Sequence, residues 1–400
     1  MTSRNYGWIV TAACFWLTLL YGVAMSFGVF LDPLIREFGS SNALTSAVYS
    51  TYWISWGVSS LLMGILADRY SARLLLGFSG FLVGLGVGLS SYVSAVWQLY
   101  LTFGVIAGVG AGGLWIPASS IVLRWFKQGG SLNLALSLVA LGSGTGVTLL
   151  APIEGVAIAA FGWRAAYGIV ALLSWGMTVA ALIPIKNPPG WRLDQDRRVL
   201  GSGLGSVDTI KTWFFVSLFA AYGLAAGWVR QDMTVHIISY LEMQKLSYTV
   251  AVFALSIVGL GSVSGRLLSG FLSRCLGERT DDRVLLSLYF LLQSVSILML
   301  MAFHSVEAVY FASFLFGVAW GGAVPEIPII LRRSFGTVHF GALFGVVSIG
   351  TGLGAVVGPI FGGYVYDLMR DYTLAFWTDV GLSLLASMLL VIRHKRTSSG

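Results

Sequence analysis

KNPPGWRLDQDRRVLGSGLGSVDTIK, residues 186–211, divides this 400-residue chain. The passage holds two adjacent prolines, several glycines and most of the chain's clustered charge, a composition that breaks helices and reads as a linker. On either side the sequence is apolar in blocks. Before it, long apolar runs lie near 8–30, 44–66, 74–95, 98–122, 132–153 and 164–185. After it they lie near 212–240, 249–272, 284–303, 307–331, 340–364 and 374–392. About 20 mostly apolar residues cross roughly 30 Å of hydrocarbon as a helix. The expectation is an all-α membrane protein of twelve transmembrane helices in two pseudo-symmetric six-helix bundles, residues 1–185 and 212–400, joined by a cytoplasmic linker over 186–211.

Composition points the same way. Apolar residues make up 56% of the chain and charged residues 10%, against about 25% charged in soluble domains. So few charges cannot cover a water-soluble protein of this size, which sets aside soluble enzymes, nucleic-acid binders and disordered scaffolds. The 50 glycines follow no collagen period and lie inside the apolar runs, where they let helix backbones approach. The first run follows the short polar segment 1–6 without a small-residue cleavage site, so it reads as a first helix and not as a removable signal. Cys14 and Cys275 are far apart in sequence and expected depth, and no disulfide is expected. No His-Glu-x-x-His stretch or paired catalytic carboxylates occur, so neither enzyme activity nor a metal or cofactor is expected.

Lys and Arg set the orientation, because cytoplasmic loops are enriched in them. With the N-terminus inside, 18 of the 24 basic residues fall on the cytoplasmic side and 5 on the other (Arg36, Arg164, Arg230, Lys245 and Arg370), leaving Arg266 inside a span. Both termini are therefore expected in the cytoplasm, with the protein in the cytoplasmic membrane. The net charge of +7 is then a topology signal and implies no nucleic-acid partner.

After the second run the chain reads Gly64-Ile-Leu-Ala-Asp68-Arg69-Tyr-Ser71-Ala-Arg73. Around the fourth and fifth come Gly108-Val-Gly-Ala-Gly-Gly-Leu-Trp115-Ile-Pro117, Arg124-Trp125-Phe126-Lys127 and glycines at 142, 144 and 146. Tyr6-Gly7-Trp8 and Gly162-Trp163-Arg164 open the first and sixth, and Gly265-Arg266-Leu-Leu-Ser-Gly270 lies in the eighth. Gly108-x-Gly110-x-x-Gly113 spells a dinucleotide fingerprint but lacks the preceding strand, so it reads as a helix-packing surface.

Over essentially the whole chain these residues resemble the major facilitator superfamily, and within it the monocarboxylate transporters and the related oxalate–formate exchangers. The resemblance implies alternating access by a monomer in the lipid bilayer, with protons and a small monocarboxylate as partners. It also implies that Gly64, Asp68, Arg69 and Arg73 form a conformational latch. There the glycine allows tight packing and the carboxylate faces a helix N-terminus, whose dipole favours negative charge. Ser71 stands where the family has a second glycine, and in the second half Arg274 replaces the acid of Gly270-Phe-Leu-Ser-Arg274. The recurrence supports a six-helix internal repeat.

Arg266 carries the substrate expectation. It is the only charged side chain between Thr249 and Leu272. An arginine at mid-bilayer costs about 2.5–3.5 kcal/mol on insertion scales, and it cannot shed its proton. It faces either a water-filled cavity and a visiting carboxylate, which the planar guanidinium matches, or a fixed acidic partner such as Asp379 or Glu154. The resemblance puts a substrate-binding arginine here, with Ser262 where mammalian relatives have an aspartate and Met25 near their helix 1 lysine. The eleventh run holds no counterpart of the exchangers' lysine. One central cation suits a monoanion, so the expected substrate is a lactate- or pyruvate-like monocarboxylate moved by proton symport. Carboxylate exchange and a non-transporting receptor on the same fold are the alternatives.

Trp115, Leu141 and Trp320 are candidate pocket residues, each also readable as packing. Candidate proton carriers lie in Arg230-Gln-Asp232-Met-Thr-Val-His236, where Asp232 and His236 share a helix face. The resemblance also places a histidine near 236 in bacterial relatives. The same cluster reads equally as the solvated outer end of the seventh helix. Glu326 is a further candidate, in Gly321-Gly322-Ala-Val-Pro325-Glu326-Ile-Pro328, whose prolines are expected to break the tenth helix.

Overall fold

The computed structural model describes residues 3–67, 70–126, 130–188, 209–276, 282–335 and 340–391. Among these every regular element is helical, and they form twelve spans. α1 (3–38) consists of Ser3–Thr18, Tyr21–Met25 and Gly28–Phe38, with turns at 19–20 and 26–27. α2 is Asn42–Ala67 and α3 is Ala72–Ser90, the latter capped by Ser71, whose hydroxyl accepts from the Leu74 N–H. α4 (96–125) carries a π-helical stretch, Tyr100–Ala107, before its last piece, Trp115–Trp125. α5 (130–161) and α6 (163–182) meet at Gly162, whose φ of 81° and ψ of 164° suit glycine alone. α7 (209–243) is Thr209–Tyr222, the π-helical Gly223–Val229 and Arg230–Met243. The remaining spans are α8 (Tyr248–Leu276), α9 (Asp282–Ala302), α10 (Val306–Phe335), α11 (Phe340–Met369) and α12 (Thr373–Val391).

Ten stretches among the described residues are long and apolar enough to cross a membrane. One of them, Leu134–Leu182, contains both α5 and α6. α2 is not among them, because it is rich in Ser, Tyr and Trp. Those residues are used in contacts with other helices. Large apolar side chains such as Leu61, Leu172 and Phe271 stay exposed on the outer faces, as lipid contact requires, because hydrocarbon is as apolar as leucine.

Small residues set the helix spacing. Gly108 and Gly112 of α4 lie against the backbone of Tyr52 and Trp56 in α2, and Gly110 lies against Ser79 and Val83 in α3. α8 and α10 make the most extensive contact among the described residues, with Gly261 and Gly265 of one facing Gly317 and Gly322 of the other. The expected break in α10 does not occur: Pro325 and Pro328 lie inside one helix. Each proline removes one backbone bond, but the fit of Gly321 on Ser262 and of Gly322 on Tyr289 holds the helix on two sides. The first six and last six helices meet mainly through α2 with α11, α5 with α8, and α1 with α7.

Candidate functional site

The halves are joined at the end formed by the 39–41, 244–247 and 370–372 turns. Asp367, near the end of α11, accepts hydrogen bonds from the backbone N–H of Asn42 at 2.8 Å and of Ala43 at 2.9 Å, and from the Asn42 amide at 3.1 Å. Deeper in, Ser239 donates to Asp32 at 2.8 Å, Tyr49 to the Gln231 Oε1 at 2.8 Å and Ser50 to the Val356 carbonyl at 2.7 Å. Ser256 of α8 donates to the Thr148 carbonyl of α5 at 2.6 Å. Among the described residues, these links between halves run from that end to mid-depth, where Arg266 makes the last of them.

Arg266 donates from Nη1 to the Ala140 carbonyl at 2.8 Å and from Nη2 to the Ser143 Oγ at 2.9 Å, both on α5. Neither acidic partner foreseen as an alternative reaches it. Asp379 lies against Asp232, and Glu154 lies beside Ser26. The α5–α8 approach depends on glycine: a Cβ on Gly259 would sit 2.7 Å from the Gly144 carbonyl oxygen, and one on Gly144 would sit 3.3 Å from Arg266 Nη1. Gly142 and Gly146 turn the other way and pack on α1.

Arg230 departs from the sequence expectation. Counted among the outer basic residues, it is instead buried within α7, with 7% of its surface exposed. That leaves four basic residues on the side expected to face outward, and two arginines, Arg230 and Arg266, within spans. The carbon at the centre of the Arg230 guanidinium is 5.4 Å from the centre of the Trp320 ring, and its Nε has no hydrogen-bond partner. The Tyr49 and Tyr222 phenols are among its polar neighbours. The argument from a single central cation therefore loses its premise.

Asp232 and His236 are also buried, which corrects their reading as a solvated helix end. The reason is that α7 runs on to Met243 and is covered by α2, α11 and α12, and water does not do the covering. His236 Nε2–H donates to the Pro359 carbonyl at 2.9 Å and lies 3.5 Å from Asp232 Oδ1 and from Ser46 Oγ. The Asp232 and Asp379 carboxyls are within reach of one another, with the Trp228 indole beside Asp379. Glu326 is buried on α10 and accepts from Ser269 at 2.5 Å.

Of the other pocket candidates, Trp320 lies under Arg230, Leu141 is half-buried beside Ala140, and Trp115 is exposed at the start of the last α4 piece. Ser262, one turn from Arg266, is fully buried against Gly321, with its hydroxyl unpartnered. In the latch loop, Asp68 and Arg69 lie outside the described residues. Arg73 is exposed. Gly64 has ordinary room, since a Cβ would meet Ile116 at 3.5 Å, so the tight packing implied for it is not seen.

Sequence reasoning missed Arg230, the partnership of Asp379 with Asp232, and Asp367. A signal existed for the first. Arg230 lies as deep in its apolar run as Arg266 does in its own, and invited the same argument.

The sequence profile of the Major Facilitator Superfamily matches residues 13–281 and 275–400. Among curated proteins, the chain is 25% identical to monocarboxylate transporter 3 of Rattus norvegicus, over 97% of this chain and 80% of that protein. It is 26% identical to monocarboxylate transporter 4 of Gallus gallus, over 93% of this chain and 79% of that one. Solved structures share the fold. A bacterial homologue to the human lysosomal transporter Spinster aligns with a TM-score of 0.74 at 15% identity, covering 97% of this chain and 94% of its own. The nucleoside transporter NupG aligns at 0.73 and 14%, with 98% of each chain covered. By family and by fold the chain is a multi-pass membrane transporter, a member of the major facilitator superfamily.

Proposed function

We propose that the protein is a proton-coupled carrier of small carboxylates, with the substrate carboxylate docking on Arg266 and the halves rocking to expose it to each side in turn. The observation that carries this is a mid-helix guanidinium that bridges the halves, holds two neutral oxygens and has no acidic partner among the described residues. A carboxylate is a stronger acceptor than either oxygen. Its arrival replaces links that help to keep α5 on α8, so binding and rearrangement draw on the same contact. A monocarboxylate, the class that the names of the relatives carry, needs Arg266 alone. The distribution of basic residues supports cytoplasmic termini, and with that orientation the joined end faces outward.

Coupling is assigned to Asp232 and Asp379, with His236 beside them. Two touching carboxyls repel when both are ionised, so one proton between them is the charge change that this part of the interface offers. His236 reaches Ser46 on the other half, which ties the pair to the contact that must open. The test is uptake of labelled lactate or pyruvate into proteoliposomes. Saturable accumulation driven by an acidic exterior, and lost in Arg266→Ala, is expected. The lack of an acidic partner for Arg266 also favours a second reading, exchange, because an empty carrier then reorients with an uncompensated charge. Strict dependence on internal substrate would select it.

A further inference from the structure

We propose that Asp32 of α1 and Glu242 of α7 form a pH-sensitive switch in the joined end, which shuts that end in acidic solution and lets it part in alkaline solution. Its place in a transport cycle rests on the carrier reading above. The switch itself rests on a stretch of the interface between the halves that the carrier reading does not use.

α1 and α7, one from each half, run side by side in the same direction. Gly28 lies against the carbonyls of Thr234 and Val235, and one turn further along Ser239 donates to Asp32 Oδ2 at 2.8 Å. Glu242 is three residues beyond Ser239 on the same face of α7, and its carboxyl is within hydrogen-bond reach of that of Asp32. Two acids facing across a seam hold together only while a proton lies between them; with both ionised they repel. Asp32 and Glu242 are each half-buried, so the solution at that end supplies the proton, whereas Asp232 and Asp379 are sealed inside.

The surrounding groups leave this repulsion in place. Arg36, one turn beyond Asp32 on α1, and Lys245, just past the end of α7, are both exposed, where water weakens their attraction. Glu37 is paired with Arg164 of α6 at 2.7 Å. The neighbouring phenols bond to neutral oxygens: Tyr248 of α8 to the Val29 carbonyl at 3.0 Å, Tyr240 to the Leu300 carbonyl at 3.4 Å and Tyr372 to the Asn42 side chain at 3.3 Å. Glu154 of α5, beside Ser26, and Asp371, bonded to Thr373, bring no positive charge. The closed form therefore binds a proton more tightly than the open form does. Its stabilisation is full at low pH and is lost as the pH rises. On the carrier reading, an acidic exterior then closes the outer end over a loaded site and so favours uptake.

The experiment places spin labels at Ser94, in the turn between α3 and α4, and at Ser305, in the turn between α9 and α10, both exposed at this end. The purified full-length protein, with Cys14 and Cys275 replaced by alanine, is followed from pH 5 to pH 8. The ratio of short to long distances should fall about tenfold over that range, as expected when closure binds one proton about tenfold more tightly. In Glu242→Gln the neutral amide keeps a hydrogen bond to Asp32 without the second charge, and the ratio should change by less than about twofold. Asp32→Asn should behave alike, and decides if the first variant fails to fold. A ratio independent of pH in the wild type overturns the switch, and so does a full pH response in either variant. In those cases pH-driven uptake that disappears in Asp232→Asn would still sustain the carrier reading. The expected pH response without any uptake would sustain the switch and overturn the carrier reading.

Discussion

Asp367 of α11 caps the first turn of α2 by accepting the backbone N–H groups of Asn42 and Ala43, so a carboxylate of one half closes the helix of the other. A helix N-terminus presents free donors and a positive dipole end, and Asp367 meets both. Nothing in the interior of either half depends on this contact. It exists only while the two halves are together at that end.

Asp367→Asn should therefore loosen the joined end without unfolding the protein. Losing a charged cap costs about 0.5–2 kcal/mol, enough to move a two-state equilibrium by roughly tenfold. Spin labels at Ser40 and Asp371 should report a larger population of long distances. An unchanged distribution would show that the cap does not govern closure.

Gly363→Ala tests the same surface by bulk. The added methyl would lie 2.7 Å from the Ala43 backbone nitrogen, where no flexible side chain can give way. The joined end should open further than in Asp367→Asn, and turnover should fall because one of the two states is disfavoured. Wild-type turnover would mean that α11 shifts freely on α2.

Arg266→Lys separates charge from shape. Lysine keeps the cation but loses the planar fork, so half-saturation should weaken by about tenfold or more while membrane insertion is unaffected. Wild-type affinity in the lysine variant would assign recognition to net charge alone.

Asp232→Asn and Asp379→Asn each remove one member of the buried pair and its capacity to take up and release a proton. Uptake driven by an acidic exterior should drop to the level seen without a gradient, whereas counterflow between equal pH compartments should persist. Retention of pH-driven accumulation in both variants would place the proton elsewhere, with Glu326 next in line.

The spans were legible because lipid leaves a one-dimensional signature: each crossing needs an apolar run, and the polar linker separates two sets of six. α2 is recovered by that reading although Ser, Tyr and Trp dilute its hydropathy, because its neighbours fix the count. Arg266 stood out as a lone charge in α8. Arg230 did not, since its run also holds Asp232 and His236, and a charged trio resembles a helix end in water. Burial by protein and burial by lipid look alike in geometry but opposite in sequence. The Asp367–Asn42 and Asp232–Asp379 partnerships join distant parts of the chain, and no local spacing announces either. Pro325 and Pro328 misled for a related reason. Their effect on α10 is decided by what α8 and α9 press against it.

α1 and α7 open the two halves, and both lose regular winding, at 19–20 and 26–27 in one and over Gly223–Val229 in the other. A rod with a soft segment bends there first. With α4, which carries its own π-helical stretch over Tyr100–Ala107, they are the staves whose main chain yields first, so hinge bending in this barrel is concentrated in backbone that is already irregularly wound.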